Sequence, residues 1–185
     1  MADSNYENLD SIIRGCIQKE EKAQEELYKK YFGYALSVAL LYINNRNDAI
    51  ETVNDSFIKI FKEIKRFDLS RSFKAWLRRI VINTSLDRIR KSNKWMALDQ
   101  AEAVSLEDSS PNVLSRLQAQ EIELLFNYLP HILKTVFCLY EIEGYSHKEI
   151  AKRLKIAKSS SRVYLTRAKK LLRELYVQNN NIIAP

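Results

Sequence analysis

Between Lys148 and Arg173 stand ten basic residues and a single acid, and Ser159, Ser160 and Ser161 form a run where a long basic helix begins. Lysine and arginine at this density bind phosphate. A serine hydroxyl at a helix start either caps a free backbone N–H or meets a ligand there. Arg162, one turn further on, carries the fork that fits the O6/N7 edge of guanine, whereas Lys158, Lys169 and Arg173 suit phosphates. Tyr164 and Arg167 complete this candidate set. On the residues alone, serines that only cap and solvate are the alternative to serines that face a polyanion.

A second cluster lies upstream. Residues 62–94 hold 11 basic residues and three acids. Arg71, Lys74 and Arg78 would line one side of a helix, and Arg79, Asn83 and Arg90 another, all placed to hold phosphates. Before them, "RFDLSRS" (66–72) offers a ring face on Phe67 and hydrogen-bonding groups on Asp68, Ser70 and Ser72, flanked by Arg66. Those groups could receive a base pulled from its stack, and a plain connecting loop is the alternative. Asp48, Glu51 and Asp55 recur at i, i+3 and i+7, one acidic row on a helix. Like charges four apart cost a few tenths of a kcal/mol unless compensated, and Lys59 could compensate Asp55 in part. A solvated face and a dock for a cationic partner both fit that row.

Catalytic chemistry finds no residues here. Cys16 and Cys138 stand alone with only His131 and His147, too sparse for a zinc site or a disulfide framework. No catalytic residue, metal or cofactor is expected. No stretch approaches the roughly 18–20 apolar residues of a membrane span, and the acidic start "MADSNYENLD" lacks a signal-peptide core, so a cytoplasmic protein without membrane insertion is expected. The net charge of +7 divides as +5 over residues 1–95, −4 over 96–115 and +6 over 116–185, two basic blocks about an acidic stretch.

Three glycines and three prolines in 185 residues leave little for hairpins or sandwiches. The expected fold is all-α: two small helical domains, 1–94 and 116–185, joined by a flexible acidic linker over 95–115. Apolar periodicity predicts helices near 9–19, from Lys22 towards Ile43 (with Leu27, Tyr31, Tyr34 and Val38 inside), and from a cap at Asn47 or Asp48 with Ile50, Val53, Phe57, Ile60 and Ile64 buried. A fourth, 73–91, turns Phe73, Trp76, Leu77, Ile80 and Thr84 inward. Helices near 113–128, 131–142, 147–154 and 159–176 follow. Ser146 and Glu149 form a capping box that opens the third of these. The short helix, the turn at "KIAK" and the longer basic helix describe a helix-turn-helix.

"LPHILKTVFCLYEIEGYSHKEIAKRL", with "LTRAKKLLR" beyond it, resembles region 4 of bacterial sigma factors of the extracytoplasmic-function group. "NDAIETVNDSFIKIFKEI" is similar to that family's region 2.2, and "FKAWLRRIVINTSLDRIRK" to its regions 2.3 and 2.4. The resemblance implies a non-enzymatic factor that binds core RNA polymerase (β′ clamp and β flap) and directs it to promoter DNA. Asp48, Glu51 and Asp55 would then dock the β′ clamp. The first domain would open the −10 element and the second would sit on the −35 element. An anti-sigma protein is a further partner that the resemblance allows. This chain departs from the family's pattern where Lys155 replaces a usual turn glycine, where Ser159–Ser161 replace Gly-Thr-Val, where Tyr164 replaces a common arginine, and where Ile50–Glu51 replace two acids. The alternatives are a response-regulator output module, whose first half needs strands and turn glycines, and a nucleic-acid-processing enzyme, which needs clustered carboxylates or a His/Cys constellation.

Overall fold

The structure, a computed structural model, describes residues 3–91, 125–126 and 128–181. The chain divides into two compact units, Met1–Arg88 and Ile89–Pro185, and every regular element among the described residues is helical. The acidic linker and most of the expected helix at 113–128 lie outside them.

Four helices build the first unit: α1 (Asp3–Ile17), α2 (Glu21–Leu40), α3 (Arg46–Glu63) and α4 (Phe73–Lys91). The helix expected from residue 9 thus begins earlier. α1 packs on α2 and on the 3-10 turn Ile64–Arg66, and α2 packs on α3. The α1–α2 crossing is close enough that a Cβ on Gly15 would lie 2.6 Å from that of Ala23. At the end of α1, Glu20 N–H reaches the Gly15 carbonyl (3.0 Å) and Lys19 N–H that of Cys16 (3.1 Å), with Lys19 in the left-handed region at φ 65°. This is a Schellman closure.

α3 is capped by Asn45, whose Oδ1 accepts from the N–H groups of Asn47 (2.8 Å) and Asp48 (3.1 Å). The expected caps Asn47 and Asp48 are therefore receivers of the cap, one step inside the helix. Val53, Phe57, Ile60 and Ile64 are buried as expected, but so are Ala49, Thr52 and Ser56. In α4 the buried set gains Val81, Ile82, Ser85 and Leu86, whereas Trp76 and Ile80 are only half-buried. The buried hydroxyls cost little because each is satisfied on its own helix: Thr52 on the Asp48 carbonyl (2.7 Å), Ser56 on Thr52 (2.7 Å) and Ser85 on Val81 (2.9 Å).

In the second unit α5 (His131–Phe137) runs into a π turn, Cys138–Ile142, closed by Glu143 N–H on the Cys138 carbonyl at 3.0 Å. The expected single helix 131–142 is thus α-helical for only its first half. Gly144, at φ 72°, ends the segment. α6 (His147–Leu154) and α7 (Lys158–Asn181) follow, and both α5 and α6 pack on α7. Val136, Leu139, Ile150, Leu154, Leu165 and Ala168 form the core. The α6–α7 turn is made by Lys155, left-handed at φ 54°, with Ile156 N–H on the Ala151 carbonyl (3.1 Å).

Candidate nucleic-acid and polymerase interface

The capping box at α6 is complete. Glu149 N–H donates to Ser146 Oγ (3.3 Å), while Ser146 Oγ–H (2.7 Å) and Ser146 N–H (2.9 Å) donate to Glu149 Oε2, and these two bonds, the hydroxyl's first, hold the Glu149 carboxyl below its ordinary pKa. The one acid of the basic stretch is thereby spent inside the scaffold helix.

α7 opens at Lys158, with Ser161 N–H on the Ala157 carbonyl (3.1 Å). Ser159 therefore lies in the first turn and is not the residue before it, which corrects the expected serine cap. Lys158 and Ser159 are exposed and Ser160 is half-buried, but Ser161 has no accessible surface, and its Oγ lies 3.0 Å from His147 Nδ1. The His147 ring stacks on Tyr140 at 4.5 Å, and its pKa is lowered by burial and by Arg162 and Lys158. A neutral imidazole can accept the Ser161 proton, so this pair ties the first turn of α7 to α6. Tyr164 is buried too, at 9% exposure. Ser161 and Tyr164 thus face the core in place of the DNA-facing surface first expected of them, because a helix held on α5 and α6 must bury one side.

What α7 leaves outward is a row at four- and three-residue steps: Lys158, Arg162, Thr166, Lys169 and Arg173, with Arg167 beside it. Arg162, Arg167 and Arg173 form no ion pair among the described residues. Lys169 does: its Nζ lies 2.6 Å from Glu141 Oε1, carried by the π turn.

In the first unit, the 66–72 loop is organised by Asp68. Its Oδ1 accepts from Ser70 N–H (3.0 Å) and Ser70 Oγ–H (2.7 Å), while Arg71 Nε sits 3.3 Å from Oδ2. The Ser70 bonds, with Arg71 behind them, hold the Asp68 carboxyl below its usual range. Ser72 Oγ accepts from Ala75 N–H at 3.3 Å and starts α4. The Phe67 ring is half-buried, edge-on to Phe73 at 5.5 Å and 5.1 Å from Trp76, so it is braced and not freely held out. Arg66, Lys74 and Arg79 are exposed, and Asn83 and Arg90 half-buried. Lys74 lies over the Tyr34 ring (4.4 Å), and Arg78 reaches the Tyr34 hydroxyl (3.5 Å).

The acidic row is split. Arg88 NH2 bridges Asp48 Oδ1 (2.8 Å) and Glu51 Oε2 (2.6 Å), tying α4 to α3, while Asp55 is exposed without an ion pair among the described residues. Lys59, expected to offset Asp55, turns instead to Thr84 Oγ1 (3.1 Å) and Asp87 Oδ2 (3.6 Å). Among the described residues there is no group of three metal-ligating side chains and no helix long and apolar enough to cross a membrane.

Residues 27–95 match the Sigma-70 region 2 family model, and residues 119–172 match that of Sigma-70 region 4. The extracytoplasmic-function (ECF) sigma-E factor of Haemophilus influenzae is 28% identical over 174 residues, covering 88% of this chain and 92% of that protein. The corresponding figures for ECF sigma factor SigW of Bacillus subtilis are 29% over 185 residues, 90% and 97%. The chain belongs to the sigma-70 family, in its extracytoplasmic-function group. This sigma factor directs transcription initiation by RNA polymerase. Among solved structures it is similar to the sigma factor RpoE of Bartonella quintana, crystallised with the anti-sigma factor NepR, at 20% identity and TM-score 0.48, covering 82% of this chain and 95% of that one. The region 2 match contains the acidic row, the 66–72 loop and α4; the region 4 match contains α6 and most of α7. Sequence reasoning about this sigma factor missed Arg88, Glu141 and the His147–Ser161 tie, since each joins two elements and leaves no period within one.

Proposed function

We propose that α7 seats in the major groove of the −35 element, that α4 and the 66–72 loop engage the −10 element during opening, and that the acidic row of α3 docks the β′ clamp of core RNA polymerase. The factor works in the cytoplasm and carries no catalytic step of its own, since bond-making belongs to the polymerase. The observation that carries this reading is the outward row of α7: Lys158, Arg162, Lys169 and Arg173 project from a helix whose opposite side is buried on α5 and α6. Adding the protein to sigma-free core polymerase should give transcription from a specific promoter, and initiation no better than core alone would overturn it.

Asp55 is the cleanest test of the α3 dock, because Asp48 and Glu51 are already engaged by Arg88. Asp55→Lys, alone and with Glu51→Lys, should slow association with core enzyme and make it less salt-sensitive. Circular dichroism should hold for the single variant. Unchanged association rates would remove α3 from the dock.

The Glu141–Lys169 pair makes a second prediction. While Glu141 holds Lys169, that lysine is withheld from phosphate. Glu141→Gln should raise affinity for scrambled duplex and steepen the plot of log K against log salt by about one unit. Lys169→Ala should change the parent slope by clearly less. An unchanged slope in Glu141→Gln would mean that Lys169 leaves Glu141 for DNA without penalty.

A further inference from the structure

Among the described residues of α7, the exposed large apolar side chains are Val163, at 45%, and Tyr176 and Val177. The last two stand about 20 Å further along the axis, beyond a groove about 12 Å wide, whereas Val163 stands in the second turn. At about 100° per residue, the buried Ser161, Tyr164, Leu165 and Ala168 fix the inner side of α7, and Val163 projects within about 30° of the opposite direction. Cations flank it, Lys158 and Lys169 to one side and Arg167 to the other. Ser159, one turn earlier, offers a hydroxyl, and Thr166, one turn later, donates its own to the Arg162 carbonyl at 3.1 Å. A single exposed valine calls for no account in itself. This one sits at the crest of a basic helix, outside the core, and is a poorer helix former than the lysines and arginines around it.

A helix laid in the major groove turns its crest to the base edges and its flanks to the two phosphate strands. Arginine and serine can pair with the polar groups of those edges, but an isopropyl group has neither donor nor acceptor. The apolar group that B-DNA presents in the major groove is the C5-methyl of thymine. Set on an amino or carbonyl group, Val163 would strip water from it without replacing the hydrogen bond. Set on the methyl, it removes two apolar surfaces from water. We infer that Val163 is a specificity-determining residue of this sigma factor, reading a single thymine of the −35 element through its methyl group. The inference rests on the proposed seating of α7 in the major groove and names the base feature that its crest selects.

Holoenzyme made with the full chain would first select its preferred −35 duplex from a randomised pool. Each thymine of that duplex would then be replaced singly by deoxyuridine, which keeps the pairing and the O4 acceptor and lacks only the C5-methyl. With the parent, one replacement should weaken binding about three- to fivefold, the effect of losing one buried methyl, and the others should change it by less than about 1.5-fold. Val163→Ser, whose side chain is short and polar, should bind the thymine duplex about as weakly as the parent binds the deoxyuridine duplex, and should be insensitive to the replacement. Val163→Ile keeps the branched apolar side chain and should keep the sensitivity. Thermal midpoints equal to the parent's, expected at an exposed site, exclude a folding defect as the cause. Deoxyuridine without effect at every position in the parent, or a sensitivity that survives in Val163→Ser, overturns the role of Val163 and leaves α7 in the groove. A parent holoenzyme that selects no sequence in the −35 duplex overturns the seating of α7 itself, and the inference with it.

Discussion

Arg162→Ala is expected to weaken binding to the preferred −35 duplex by about 1–3 kcal/mol and binding to scrambled duplex by less, so that the preference narrows. The geometry behind this is the exposure of Arg162 at the end of the first turn of α7, without an ion pair among the described residues. A recognition helix enters the groove by this end, and a guanidinium there can grip guanine O6 and N7 together. Fluorescence anisotropy at two or more salt concentrations on both duplexes reads the outcome. Equal losses on the two DNAs would make Arg162 a phosphate clamp. The base reader would then be sought at Ser159 or Thr166, both exposed, and not at Tyr164, which is buried.

Phe57→Ala should remove about 3–5 kcal/mol from the first unit, the usual cost of emptying a large buried site. The ring is 2% exposed and lies 4.8 Å from that of Tyr28 and 5.9 Å from that of Phe61. Since whole domains are stable by only about 5–15 kcal/mol, most of the margin would go. Urea titration should show an early transition for the first unit, with loss of binding to core polymerase and retention of −35 duplex binding by the second. A midpoint shift worth less than about 1 kcal/mol would contradict the packing described for α2 and α3.

Helix-by-helix features were legible in the sequence because their causes are local. The capping box of Ser146 and Glu149, the start of α4 at Phe73 and the apolar stripe of α3 each follow from neighbours within two turns. The cap of α3 was misplaced at Asn47 or Asp48 because "NNRND" offers several acceptors, and Asn45 wins only once Tyr42 and Ile43 are buried beside it. The inward set of α4 was incomplete since Ser85 is polar and yet buried, its hydroxyl satisfied on Val81. In the candidate site, the charge of α7 was legible and its orientation was not. Whether Ser161 faces outward depends on His147, 14 residues away in another helix. The same holds for Lys169, whose partner Glu141 is placed by a π turn that apolar periodicity does not encode.

Lys155 is the residue that joins α6 to α7, and it sits where an L side chain is crowded by its own backbone, at φ 54° and ψ 42°. A non-glycine residue held there carries on the order of 1 kcal/mol of strain. A lysine has a narrower left-handed range of φ and ψ than glycine, so this joint is stiffer than a glycine turn would be and holds α7 at one angle on α6. If α7 reads DNA as proposed, a groove wider or narrower than ideal is met by deformation of the duplex and not by this turn.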